Sequence, residues 1–91
     1  MVRFALYETE IRPLEISARN GFVTIAIEDF TGGTEGLVVE RETGGAPERV
    51  GQIKRVEGHG RGKGEMDLTP GTYKVYDAGH LDNRATLTIE P

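Results

Sequence analysis

The sequence predicts an all-β domain, a sandwich or barrel of about eight short strands. Two observations carry this. Apolar residues alternate with polar ones in short runs and never hold a helical period for long. Thirteen glycines and four prolines punctuate those runs at short intervals. Residues 2–8 alternate, with Val2, Phe4 and Leu6 on one face, and residues 14–18 alternate again. Gly21 leads into residues 22–27, a β-branched run long enough for a central strand. After a loop at residues 31–34, Leu37, Val38 and Val39 form a short apolar run, and a second loop follows at residues 43–47. Residues 50–56 are a weaker strand. Residues 58–64, where glycine alternates with His59, Arg61 and Lys63, are predicted as an exposed basic turn, and residues 65–68 as an edge strand. Thr69, Pro70 and Gly71 signal a turn, and residues 72–76 and 84–90 supply the last two strands.

A chain of 91 residues is expected to be one domain spanning 1–91. A domain this small buries roughly 60–65% of its unfolded surface, so its pattern must be efficient. Net charge is −4 and the isoelectric point about 5.1, a poor basis for binding nucleic acid or an anionic membrane. No apolar run reaches the ~20 residues of a membrane span, and no segment has the order of a signal peptide. There is no cysteine, which excludes disulfides, thiolate catalysis, thiolate-bound zinc and iron–sulfur clusters.

Residues 68–80 read Leu-Thr-Pro-Gly-Thr-Tyr-Lys-Val-Tyr-Asp-Ala-Gly-His. This segment resembles the copper loop of the cupredoxins, the plastocyanin-like family, where an L-x-P-G-x-Y turn and strand lead to a Cys, a His and a Met before a final strand. Residues 84–89 resemble that closing strand. Residues 4–13, 14–16 and 20–25 resemble the family's first strands, and residues 31–39 the segment that carries its first copper histidine. The likeness is weakest over residues 43–64. It implies a single-domain Greek-key β-sandwich. A fibronectin-type or immunoglobulin-like domain is the rival, since a Leu-x-Pro-Gly turn before a tyrosine also marks a tyrosine corner, but here the tyrosine arrives one residue early.

A blue copper site takes two imidazoles and a thiolate in a near-trigonal plane, with a weak axial thioether. By the resemblance the first histidine position falls on Glu35, the cysteine on Asp77, the second histidine on His80 and the methionine near Asn83. Only His80 is retained. Met1 and Met66 are not placed to replace the axial ligand. The expectation is a cupredoxin-like domain with no type 1 copper, no cofactor and no enzymatic activity, acting as a protein-interaction or structural module. The alternative is a non-blue mononuclear metal site built from Glu35, Asp77 and His80, with His59 as a further candidate ligand, because two carboxylates and an imidazole suit Zn²⁺, Fe²⁺ or Mn²⁺. A carbohydrate-binding sandwich is a third reading, disfavoured by the lack of tryptophan.

Other constellations are weaker. His59, Arg61 and Lys63 could form an anion-binding turn, but the spacing is too short for a P-loop and no helix follows. Ser17 is the only serine and has no nearby histidine, which argues against a hydrolase triad. Tyr7 and Tyr76 lie on strands, and Tyr73 is expected to bond to backbone across the Pro-Gly turn. Leu81, with Ala78 and Gly79, marks a possible contact surface, since the corresponding end of cupredoxins carries an apolar docking patch. The partner would be another protein, or a second copy through an edge strand. Resemblance implies an extracytoplasmic location, although the sequence shows no leader.

Overall fold

The computed structural model describes residues 1–31, 36–54 and 60–91. The described residues are all strand, turn and loop, and no helix among them is long and apolar enough to cross a membrane. Nine strands occur among the described residues: β1 (Val2–Leu6), β2 (Ile11–Arg12), β3 (Glu15–Arg19), β4 (Gly21–Asp29), β5 (Leu37–Arg41), β6 (Glu48–Ile53), β7 (Arg61–Leu68), β8 (Gly71–Asp77) and β9 (His80–Glu90). They form a four-stranded sheet in the order β2-β1-β4-β7 and a five-stranded sheet in the order β3-β9-β8-β5-β6.

The alternation seen in the sequence sets the inward face of each sheet. Val2, Phe4 and Leu6 of β1 lie beside Val23, Ile25 and Ile27 of β4, and all six are buried. From the other sheet Leu37, Val39, Tyr73, Val75, Ala85, Leu87 and Ile89 complete one continuous core. Each buried valine, leucine, isoleucine or phenylalanine among them contributes about 1.5–3 kcal/mol by leaving water. β1 runs parallel to β4 and β3 parallel to β9, so chain crossings between the sheets, not hairpins, tie the sandwich together.

Two departures from the sequence reading have clear causes. β2 is a two-residue strand, too short to leave a periodic signal. Residues 61–64, expected in an exposed turn, instead continue β7, which pairs antiparallel with β4 from Gly21↔Leu68 to Glu28↔Arg61. The alternation of glycine with charge was a strand period with an unusual inward residue. Gly62 and Gly64 face inward where β6 and β7, edges of opposite sheets, come together. A Cβ at Gly62 would stand 2.2 Å from the carbonyl oxygen of Lys54, and one at Gly64 2.6 Å from Cδ1 of Ile53. Glycine marks close backbone approach here, not a turn. His59 lies outside the described residues.

Tyr73 behaves as expected. Its buried ring ends in a hydroxyl that donates to the carbonyl of Thr69 at 2.8 Å, closing the Pro-Gly turn. Arg41 donates to the Thr69 hydroxyl at 2.7 Å and lies over the Tyr73 ring at 6.0 Å.

Tyr73→Phe is expected to lower unfolding free energy by about 1 kcal/mol, the worth of one such bond. Gly62→Ala is expected to cost about 2–3 kcal/mol through overpacking against backbone. Urea unfolding monitored by far-UV circular dichroism checks both, and a Gly62→Ala variant as stable as the parent would refute the close approach of β6 and β7.

Candidate functional site

Asp77 and His80 meet at one end of the sandwich, where β8 turns into β9. Asp77 ends β8 in register with Leu37 of β5, and its side chain is buried. Its Oδ1 accepts the backbone N–H of Gly79 at 2.9 Å, which folds residues 77–79 into an Asx turn. Its Oδ2 accepts from Nδ1 of His80 at 3.2 Å. The other imidazole nitrogen, Nε2, stands 4.0 Å from Oε2 of Glu8 on the segment after β1. The histidine is therefore flanked by a carboxylate on each side.

Two more links cross this end. The N–H of Ala78 donates to the carbonyl of Gly36 at 3.0 Å. Asn83 Nδ2 donates to the carbonyls of Tyr7 and Glu8 at 3.1 and 3.0 Å. Asn83 thus pins the segment after β1 to β9. At the end of β4, Asp29 repeats the device of Asp77: it is buried, and its Oδ1 accepts the N–H of Thr31 at 2.8 Å. Its Oδ2 is buried with no hydrogen-bond partner among the described residues.

The sequence reading did not single out Glu8, Asp29 or Phe30. Phe30 follows β4 and stacks on Tyr7, with centroids 5.2 Å apart and planes 15° from parallel. The pairing of Leu6 with Asp29 in parallel strands β1 and β4 brings the two rings together. Phe30 is 58% exposed and Leu81, at the same end, 59%. Gly79 is exposed and Ala78 half-buried. The D-x-T and D-x-G patterns at residues 29–31 and 77–79 were the available signal for the two Asx turns.

No protein-family model matches the chain, and no curated protein does. Solved structures do match. Auracyanin A, a blue copper protein from the green thermophilic photosynthetic bacterium Chloroflexus aurantiacus, superposes with a TM-score of 0.74. Identity is 12%, over 98% of this chain and 97% of that one. Amicyanin from Paracoccus versutus superposes with a TM-score of 0.68 at 11% identity, over 98% of this chain and 80% of that one. The fold is cupredoxin-like.

The donor set of this cupredoxin-like chain does not fit a type 1 copper centre. The thiolate that such a centre needs cannot be supplied, because the chain has no cysteine. Of the ligand positions implied by the resemblance, Glu35 lies outside the described residues. Asp77, His80 and Asn83 are engaged with one another's loops. Among the described residues no three His, Cys, Asp or Glu side chains converge on a point that could hold a metal ion.

Asp77→Ala would strand the Gly79 N–H and His80 Nδ1, and is expected to destabilise the domain by about 2–3 kcal/mol. Asp77→Asn, which still accepts from Gly79, is expected to cost less than half of that. Denaturant midpoints of the two variants check the order; equal stability of parent and Asp77→Ala would show that the Asx turn carries no weight.

Proposed function

We propose that this chain is a non-catalytic, cupredoxin-like module without a copper centre, and that it works by contact with another protein. The observation that carries this reading is the occupation of the loop end by its own hydrogen bonds. Both oxygens of Asp77 and Nδ1 of His80 already have partners, and Nε2 of His80 faces Glu8. A metal would have to displace bonds that hold the turn together.

The contact face is the same end of the sandwich. Tyr7, Phe30 and Leu81 are exposed there, and large apolar groups gathered on one surface mark interaction sites in small domains. The sheet edges are less suited to the purpose, since β2 is short and β7 carries Arg61, Lys63, Glu65 and Asp67.

Elemental analysis of the purified protein, before and after incubation with Cu²⁺, Zn²⁺ and Fe²⁺, tests the first half. No metal is expected at one equivalent. One tightly held ion, released by His80→Ala, would overturn it in favour of a non-blue site using Glu35, Asp77 and His80. Sedimentation of the metal-free protein at rising concentration tests whether a second copy is the partner: association that Leu81→Glu removes supports this, and association unchanged by that substitution rejects the loop end as the contact.

A further inference from the structure

The outer face of the four-stranded sheet carries a feature that the loop end does not explain. Register fixes two rows of side chains across it. One row reads Arg12, Ala5, Glu28, Arg61 across β2, β1, β4 and β7. The next reads Arg3, Ala26, Lys63 across β1, β4 and β7. Neighbouring strands lie ~4.8 Å apart, so the longer row spans roughly 14 Å. Short alanines stand in the middle of the face, and long cationic side chains stand on both sides. The result is a groove of about 520 Å³ with alanine on its floor and Met1 on its rim. That volume falls within the usual range for small-molecule sites, about 300–1,000 Å³.

The charge of the groove runs against that of the chain. Four cations line it against one carboxylate, Glu28, in a protein of net charge −4. Arg12 is held by Glu10 at 2.9 Å. Arg3, Arg61 and Lys63 form no ion pair among the described residues, and Glu28, the cross-strand neighbour of Arg61, is the one carboxylate that opposes them in the groove. Outward side chains of β7 read Arg61, Lys63, Glu65, Asp67, so the positive field ends abruptly two residues past Lys63. A compact anion gains from such a field, whereas an extended polyanion would run onto the carboxylates. Arginine forks bind phosphate and carboxylate oxygens in pairs, and their stems, with the alanine methyls, offer apolar contact to the body of a ligand.

We propose that this groove is a binding site for a small organic anion bearing two or more phosphate or carboxylate groups. The basic Arg-Gly-Lys-Gly run that opens β7 then serves as one wall of the site: Gly62 and Gly64 let the strand approach the β6 edge, and Arg61 and Lys63 face the ligand.

The test is titration of the ¹⁵N-labelled full chain at low salt with sodium pyrophosphate and, separately, with citrate. Saturable amide shifts at Arg3, Ala5, Ala26 and Lys63 are expected with at least one of them, and the tighter of the two names the anion class. Arg3→Glu and Lys63→Glu are each expected to weaken binding by about tenfold or more, while Glu28→Gln, which removes the one opposing charge, strengthens it by about threefold. Unchanged shifts of core amides establish that the variants are folded. The proposal is overturned if neither anion saturates, if the shifts map to the loop end, or if Glu28→Gln and the charge reversals leave affinity unchanged. It is also overturned if a single-stranded oligonucleotide binds the same residues more tightly than either small anion.

Discussion

The structure depends on one apolar seam. The chain has no disulfide to shorten its unfolded ensemble, so stability rests on how completely two facing sheets exclude water between them. β1 and β4 supply one wall, and β5, β8 and β9 the other. Where the edges of the two sheets come together, side chains are dispensed with, as at Gly62 and Gly64. At the ends of β4 and β8 the last inward positions belong to Asp29 and Asp77, whose carboxylates turn the chain back by binding an N–H two residues on. The loop end is therefore a continuation of the seam in polar form, and its geometry follows from the register of the strands beneath it.

Much of this was legible in the sequence because burial and period coincide. Val2, Phe4 and Leu6, residues 22–27, and residues 72–76 each place branched or aromatic residues on alternate positions, and each became a strand with that face inward. The Pro-Gly turn with its tyrosine was legible too, since a hydroxyl at that distance from a turn has one natural acceptor. The second half of β7 was read as an edge strand, but residues 61–64 were hidden by an inversion of the ordinary pattern: their inward residues are glycines and their outward residues are long and charged, so a reading weighted toward apolar side chains finds a loop. At the loop end, Asp77 and His80 are three residues apart and could be grouped by eye. Glu8 and Phe30 could not, because parallel pairing of β1 with β4 brings them there, and parallel pairing leaves no local trace.

The loop end of this cupredoxin-like fold is held by hydrogen bonds among the described residues. In a metal-centred sandwich an ion joins the loops at one end. Here hydrogen bonds make those joins: Ala78 to Gly36, Asn83 to the segment after β1, and His80 to Asp77. Each is an ordinary bond worth about 1 kcal/mol, but the first two connect segments distant in sequence, and the third fixes the turn between them. The scaffold can thus keep its shape while its surfaces, the loop end and the outer sheet face, take up other tasks.

The place of β9 has a consequence for how the protein comes into being. That strand lies inside its sheet, between β3 and β8, and pairs Glu15 with Thr86 and Arg19 with Glu90. Among the described residues β3 has no other neighbour in the sheet, so it waits unpaired until β9 is made, some seventy residues later. On the ribosome, the five-stranded sheet can close only after residue 90 has cleared the exit tunnel. Until then the nascent chain exposes the apolar faces of β5 and β8, and a domain of this topology has the longest need of shelter when its synthesis is nearly finished.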